Sequence, residues 1–244
     1  MSLDTAQHVT ARPAAYQGAP LRAVVPPPPP PQTLQQHLAV LRDVGTMLNF
    51  SRNETIVQEG DPAHHVFQLV SGTVRLCRHT SDGRRHISDF ALPGDLFGVF
   101  GGSVQAFTAE AVGDVKLISY PRAHIDRLAE REPRFRANIL THLSAHLLAS
   151  QAHTFVLGCQ CAKERLASFL IRLSERTGAI ETGRLELAMS RQDIADHLGL
   201  TIETVCRTVT SLKKAGVLGL PGAHQMVLRN VEALCELAEG SALH

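Results

Sequence analysis

The sequence has almost no net charge, with 24 lysines and arginines against 23 aspartates and glutamates in 244 residues. A protein that binds nucleic acid through a broad basic surface would carry an excess of cations, so that class is disfavoured. Residues 159–244 are balanced as well, with ten basic and ten acidic side chains. Sequence-specific DNA binding remains open because it needs only a few well-placed cations.

Long apolar runs and paired cysteines are also lacking. No stretch reaches the eighteen consecutive apolar residues of a membrane span, and the N-terminus shows no charged start followed by an apolar core. Five cysteines, an odd number without a paired framework, indicate a reducing compartment. We therefore expect a cytoplasmic protein without a membrane partner, and its length suggests two domains.

Metal-binding patterns are equally scarce. The spacing of Cys159 and Cys161 is shorter than that of the usual zinc or redox pair, and the thirteen histidines include no HExxH. His64 and His65, predicted in a turn, suggest a haem or metal contact only by analogy. We predict no metal site and no resident cofactor.

The N-terminal half contains three segments that differ in composition and in hydrophobic pattern. Residues 1–33 end in six consecutive prolines and predict a disordered Pro-rich arm, since polyproline offers no donors and no packing face. Residues 34–48 carry apolar side chains at helical spacing, which predicts a helix. From about 49 to 121, short β-branched runs alternate with glycine-containing turns, which predicts an antiparallel β-roll within a domain at 34–132.

A long helix is predicted at 133–158, with Pro133 at its start and an apolar stripe that includes Leu143, Leu147 and Phe155. A helix of this length exceeds what a small domain needs. It is interpreted as a dimerisation helix that pairs with its two-fold mate, or as an ordinary helix within one domain.

The C-terminal part, 159–244, contains two short predicted helices in the segment 189–214. Two caps and a turn residue define them: Ser190, Thr201 and Gly199. The second helix has a predicted buried face formed by Val205, Val209 and Leu212. A hairpin around Gly222 follows, as a wing follows a helix-turn-helix. The alternative is a helical hairpin packed in a core.

The residues that we expect to contact DNA lie at the two helix starts and on the polar face of the second helix. Hydroxyl groups and N–H groups at helix starts bind phosphates, while Glu and Arg are the residue types that recognise C and G in the major groove. The candidates are Ser190, Arg191, Gln192, Thr201, Ile202, Glu203, Thr204, Cys206 and Arg207.

Three motifs resemble those of the CRP/FNR family of bacterial transcription regulators: PGDLFG at 93–98, AKERLASFL at 162–170 and SRQDIADHLGLTIETVCRTVTSLKKAGVL at 190–218. The resemblance covers about residues 34–240. It implies an α+β chain with a cyclic-nucleotide-binding-like β-roll, a long dimerisation helix and a winged helix-turn-helix. It further implies a homodimeric DNA-binding regulator that acts as an activator and contacts RNA polymerase, and not an enzyme.

Within that family, a Glu and an Arg four residues apart contact the half-site bases, and these fall on Glu203 and Arg207. Ile202 stands where CRP has an Arg, which implies a half-site nearer TTGAT than TGTGA and a palindrome TTGAT-N4-ATCAA. The FNR branch has Ser at the position of Cys206. The family's polymerase contacts would lie at Thr80–His86 and on the helix from Ala162.

The two best-known sensors of the family are not expected. No arginine lies between Arg85 and Arg122 to neutralise a cyclic phosphate, so we predict that cyclic nucleotides do not bind. No cysteine precedes Cys77, which excludes an iron–sulfur cluster of the FNR type. With AFTAEAV at 106–112, the chain looks most like the FixK branch, which implies control of microaerobic, nitrogen-fixation or denitrification genes.

Three alternatives remain open at this point. Cys206 is either a redox switch whose oxidation blocks DNA binding or a small thiol that contacts a thymine methyl. The trigger could instead be a small molecule or haem in the roll. A cupin-like binding or enzyme domain is the alternative from another class, although histidines 64, 65, 79 and 86 lack the spaced cluster that cupin metal sites need.

Overall fold

The computed structural model describes residues 38–41, 43–99, 102–222 and 224–240. The predicted Pro-rich arm at 1–33 lies outside these residues, as does the start of the helix predicted at 34–48.

The N-terminal part folds as two four-stranded antiparallel sheets, which confirms the predicted β-roll. One sheet has the order β1-β8-β3-β6 and the other β2-β7-β4-β5. The strands are β1 (Thr46–Phe50), β2 (Thr55–Val57), β3 (His65–Ser71), β4 (Val74–His79), β5 (Arg85–Ala91), β6 (Leu96–Phe97), β7 (Thr108–Ala111) and β8 (Val115–Pro121).

The prediction of a helix at 34–48 is wrong for the part of this range that the structure describes. Ala39–Leu41 form only a short 3₁₀ turn, and β1 begins at Thr46. The reason is long-range pairing: β1 pairs with β8 from Thr46 opposite Ser119 to Phe50 opposite Val115. Without β1, this edge of β8 would expose unpaired backbone groups, and that cost outweighs the helical spacing of the leucines.

The interior of the roll is filled by side chains. The rings of Phe67 and Phe97 stack at 5.2 Å between centroids, and Leu69 and Leu117 are buried beside them. The apolar side chains of the strands thus form a packed core, and the alternative of a sensor pocket inside the roll gains no support from it.

Three helices follow the roll: α1 (Arg122–Arg131), α2 (Pro133–Cys159) and α3 (Ala162–Arg176). Pro133 occupies the first turn of α2, as predicted, because its missing N–H is not needed there. The 27 residues of α2 span about 40 Å at the standard rise. Four large apolar side chains of α2 are about half exposed or more: Leu140, Leu147, Leu148 and Phe155.

The C-terminal part is a winged helix-turn-helix, as predicted. Its helices are α4 (Ala179–Thr182), α5 (Arg191–Leu198), α6 (Ile202–Lys214) and α7 (Val231–Ala238). Its strands β9 (Arg184–Glu186), β10 (Leu218–Gly222) and β11 (Gln225–Leu228) form one sheet in the order β10-β11-β9. The α+β fold class is therefore confirmed. None of the helices in the described ranges is long and apolar enough to cross a membrane.

Candidate nucleic-acid interface

Helix α5 begins with a reciprocal cap. The hydroxyl of Ser190 accepts from the backbone N–H of Asp193 at 3.1 Å, and the Asp193 carboxylate accepts from the backbone N–H of Ser190 at 3.0 Å. The Ser190 hydroxyl also donates to Asp193 Oδ2 at 2.7 Å. Ser190 is thus the predicted cap, but its hydroxyl is already paired and has little capacity left for a phosphate.

The turn between α5 and α6 depends on Gly199, whose φ of +61° lies in the left-handed region. A residue with a Cβ is strained there, and Gly ends a helix in this conformation without cost. Thr201 then caps α6, because its hydroxyl accepts from the N–H of Thr204 at 3.2 Å. Both predicted caps and the predicted turn are confirmed.

The buried face of α6 also matches the sequence pattern. Val205, Val209 and Leu212 are buried against α5 and α3. Thr208, which stands where the family pattern has Ile or Leu, is buried too, and its hydroxyl donates to the Thr204 carbonyl at 2.7 Å. The hydroxyl is therefore satisfied within the helix, which explains how a polar residue is accommodated at this position.

The opposite face of α6 is exposed. It lines an open groove formed by Cys206, Arg207, Thr210, Ser211 and Lys214. Glu203 is exposed one turn before Arg207, and its pKa is lowered by the backbone N–H at its own position and by the Thr201 hydroxyl. Glu203 is therefore an acceptor at neutral pH, while Arg207 offers only donors.

The remaining candidates lie around this face. Gln192 is exposed, and its Nε2 donates to Asp196 Oδ1 at 2.6 Å. Ile202 and Thr204 are half-buried in the first turn of α6. The structure thus brings the candidates together along the start of α5 and one side of α6. Five of them are exposed: Gln192, Thr201, Glu203, Cys206 and Arg207.

Arg191 is the cation that interacts with Cys206. Burial lowers the pKa of the half-buried Arg191 guanidinium, and the charge of a Cys206 thiolate acts in the opposite direction. Arg191 Nη1 is buried and has no hydrogen-bond partner in the described part of the chain. A phosphate oxygen would have to bind the other N–H groups of this half-buried guanidinium, because solvent does not reach Nη1.

A charged cluster that the sequence did not predict joins α5 to the roll. Arg75 Nη1 lies 3.2 Å from Asp193 Oδ1, and Arg75 Nε lies 2.8 Å from Glu110 Oε2. Arg85 Nη2 lies 2.7 Å from carboxylate oxygens of both Asp193 and Asp196. The arginines of the roll and the aspartates of α5 are more than 100 residues apart in sequence. The only local signal was the pair of aspartates on the first helix of the motif.

The roll offers little to an anionic nucleotide. Arg122, the first arginine after Arg85, donates to the carbonyl oxygens of Ala63 at 2.7 Å and Gly98 at 2.5 Å. The guanidinium of Arg122 is therefore hydrogen-bonded to the backbone. Lys116, the lysine of β8, is exposed and does not lie in the interior of the roll. The absence of cyclic-nucleotide binding stays a prediction, which rests on the need of a buried phosphate for a free cation.

Three potential metal ligands meet in the roll: Cys77, His79 and Glu110, whose ligand atoms all lie within 4.8 Å of one another. Glu110 is already paired with Arg75, and Arg85 Nη1 lies 4.0 Å from it. Burial and the charge of Glu110 raise the pKa of Cys77 to about 11. A protonated thiol beside two guanidinium groups is a poor cation site.

Comparison with known proteins agrees with this architecture. Residues 47–132 match the cyclic nucleotide-binding domain family, and residues 164–237 match the Crp-like helix-turn-helix domain family. The nitrogen fixation regulation protein FixK of Azorhizobium caulinodans is 41% identical over 201 residues, which are 81% of each chain. FixK of Rhizobium meliloti is 43% identical over 75% of this chain and 82% of its own.

A more distant relative is the transcriptional activator protein Anr of Pseudomonas aeruginosa, 32% identical over 78% of this chain and 79% of its own. The solved structure of FixK2 from Bradyrhizobium japonicum superposes with a TM-score of 0.76 at 38% identity, covering 80% of this chain and 97% of that one. These relatives are regulators rather than enzymes, so the cupin-like alternative is set aside. The chain belongs to the CRP/FNR family of DNA-binding transcription regulators, and within it to the FixK-like branch.

Proposed function

We propose that the protein is a dimeric activator that binds TTGAT-N4-ATCAA palindromes through α6. The observation that carries this proposal is the exposed face of α6, on which Glu203 and Arg207 are one turn apart and free of the core. Low-oxygen genes, such as those of nitrogen fixation or denitrification, are the proposed targets. Support for that choice comes from relatives that are nitrogen fixation regulation proteins.

In the proposed complex, Arg207 donates two hydrogen bonds to a guanine, the commonest specific contact in the major groove. Glu203 accepts from a cytosine amine or orients Arg207. The first turn of α6 presents free N–H groups and the Thr201 hydroxyl to the backbone phosphates. Arg191 and Gln192 approach the phosphates from α5, whereas Ser190 acts mainly by holding the start of that helix.

A mobility-shift titration tests base recognition. The parent protein is expected to bind the TTGAT-N4-ATCAA duplex at least tenfold more tightly than a duplex with scrambled half-sites. Arg207→Ala should weaken the free energy of binding to the palindrome by about 1–3 kcal/mol and change binding to the scrambled duplex little. Arg131→Ala, at the exposed end of α1, is the matched control. Equal affinity of the reduced parent for both duplexes would refute the proposal.

Dimerisation is proposed to occur through the stripe of α2 that includes Leu140, Leu147, Leu148 and Phe155. Large apolar side chains exposed along one helix are costly unless another surface covers them. The two-fold symmetry of the proposed operator requires two copies of α6. Leu148→Glu should therefore yield a monomer in sedimentation experiments and abolish binding to the palindrome, whereas Met47→Glu, an exposed change in the roll, should do neither.

RNA polymerase is proposed to contact the turn Thr80–His86 between β4 and β5 and the helix from Ala162. Arg84 is exposed at this turn, whereas Arg85 is paired with Asp193 and Asp196 and is unavailable. Arg84→Ala should lower transcription in a purified system while leaving DNA affinity unchanged. If transcription from the palindrome stays at the parent level, the turn is not a polymerase contact.

Cys206 is proposed as a redox switch, since its thiol is exposed on the DNA-facing side of α6. Hydrogen peroxide would convert the thiol to a sulfenic acid and release one water, and the added oxygen would crowd the groove. Peroxide should weaken DNA binding by the parent but not by Cys206→Ser, and a thiol reductant should restore it. Cys161→Ser, which removes another exposed thiol, is the control. Equal peroxide sensitivity of Cys206→Ser and the parent would rule the switch out.

A further inference from the structure

A cavity of about 180 Å³ lies where the C-terminal half of α2 meets α3, α5 and the end of α7. Its wall is mainly apolar and includes Ala152, Phe155, Val156 and Ile171. None of its lining residues belongs to α6 or to the strands of the roll. The cavity is therefore separate from the DNA-facing groove and from the family's nucleotide-binding domain.

Arg172 places a positive charge on this cavity. Its Nη2 lies 2.7 Å from His197 Nε2, while the nearby Asp89 and Asp95 pair with Arg176 instead. No carboxylate oxygen in the described ranges lies within 4.0 Å of the Arg172 guanidinium. The Arg172 side chain is half-buried, and burial lowers the pKa of its guanidinium, so an anionic ligand would be stabilised here.

His153 supplies a second unused polar group. Its ring stacks on that of His197, with centroids 4.2 Å apart and an interplanar angle of 10°. Its Nε2 is buried and has no hydrogen-bond partner in the described part of the chain. A buried nitrogen in this state usually has a ligand or a water as its partner. His153 and Arg172 both line the cavity.

The dimensions restrict the ligand. A dry cavity of about 150 Å³ accommodates a benzene ring, so this one has room for an apolar body of about six to eight heavy atoms. Glu175 and Glu239 also line the cavity, and burial raises the pKa of Glu175. Arg172 can offset one negative charge of a ligand, whereas the two acidic side chains would oppose a further one.

We propose that this cavity binds a small organic monocarboxylate, whose carboxylate pairs with Arg172 and His153 and whose apolar body packs against Phe155, Val156 and Ile171. The proposal does not depend on the DNA site, because binding to the cavity is measured directly and without DNA.

The network around the cavity gives such a ligand a route to the DNA-binding helices. His197 Nδ1 lies 2.9 Å from the Ile87 carbonyl of β5, so Nδ1 donates and Nε2 accepts from Arg172. His197 therefore connects α3, α5 and the roll. A carboxylate that draws the guanidinium toward itself competes with this acceptor and changes the contact between α5 and β5.

Calorimetric titration of the full-length protein tests the proposal with two probes, benzoate and hexanoate, and with their neutral counterparts benzamide and hexanamide. We expect each carboxylate to bind at one site per chain and each amide at least tenfold more weakly. Benzoate at saturation should also change the affinity for the palindromic duplex at least threefold. Unchanged DNA affinity would overturn the coupling, since a ligand can act only through differential binding.

Two variants locate the site. Arg172→Met removes the cation and should abolish carboxylate binding. Ala152→Leu fills the cavity, leaves Arg172 and both histidines in place, and should abolish it as well. Arg131→Met, far from the cavity, should bind like the parent. The proposal is overturned if neither carboxylate binds up to about 10 mM, if the amides bind equally well, or if the folded Ala152→Leu protein binds like the parent.

Discussion

Arg75 of β4 and Asp193 of α5 form an ion pair across the boundary between the roll and the DNA-binding part, with 3.2 Å between Nη1 and Oδ1. The side chains are only 10% and 4% exposed. Because Asp193 also caps α5, one carboxylate holds both the start of a helix and the position of that helix against the roll. Burial acts to raise the pKa of Asp193, but the hydrogen bonds from Ser190 and the two arginine charges lower it on balance.

Replacing Arg75 by Met should lower the free energy of unfolding by about 1–3 kcal/mol, because Asp193 would stay buried with Arg85 as its remaining cation. Urea denaturation followed by circular dichroism measures this. Arg78→Met is the control, since its pair with Glu59 is exposed and should contribute nothing measurable. Equal stability of both variants would mean that the buried pair does not stabilise the domain boundary.

Acid should destabilise the protein through its buried histidines. Burial and the charge of Arg172 lower the pKa of His153 from 6.5 to about 4. The unfolded chain therefore binds a proton that the folded chain does not, and stability is lost as the pH falls from 6.5 to about 4. His153→Phe keeps a ring against His197 and should reduce the stability lost over this pH range by about 1–3 kcal/mol. His64→Gln, at an exposed position directly before β3, is the matched control.

Gly199→Ala should lower the free energy of unfolding by about 1 kcal/mol, because φ at this position is +61° and an L residue is strained there. The added Cβ would lie 3.6 Å from Arg165 Nη1 and 3.8 Å from Leu157 Cδ2, which are ordinary contacts. Backbone strain alone therefore determines the loss of stability. Gly199→Asn should lose less, because Asn adopts the left-handed conformation more readily than Ala. Gly158→Ala, in the last turn of α2, should instead stabilise, since helical alanine is favoured over glycine. Thermal denaturation distinguishes these outcomes.

Lys214 and Arg207 should differ in their effect on DNA binding, although both line the same groove. Lys214→Met is expected to weaken binding to the palindrome and to a scrambled duplex alike, and to reduce the salt slope by about one. Arg207→Ala should weaken binding to the palindrome and leave binding to the scrambled duplex unchanged. Mobility shifts at several salt concentrations measure both effects. A sequence-selective loss in Lys214→Met would place Lys214 at a base rather than a phosphate.

Local chemistry made the helix-turn-helix predictable. Ser190, Thr201 and Gly199 act on atoms within a few residues of themselves, so residue type and spacing were enough to place them. The strand β1 was missed because its partner β8 lies about 70 residues later in the sequence. The ion pair of Arg75 with Asp193 was missed for the same reason. Such pairs depend on the tertiary fold, and the local patterns of a single sequence do not indicate which distant residues will meet.

The double role of Asp193 limits how freely this chain can be recombined with its relatives. In a chimera that joins residues 159–244 to the roll of another family member, that roll has to supply the two cations that Arg75 and Arg85 supply here. A roll without these cations would leave the Asp193 carboxylate buried and unpaired at the start of α5. The two halves of the protein are therefore not independent modules, and the unit of exchange includes β4, β5 and α5.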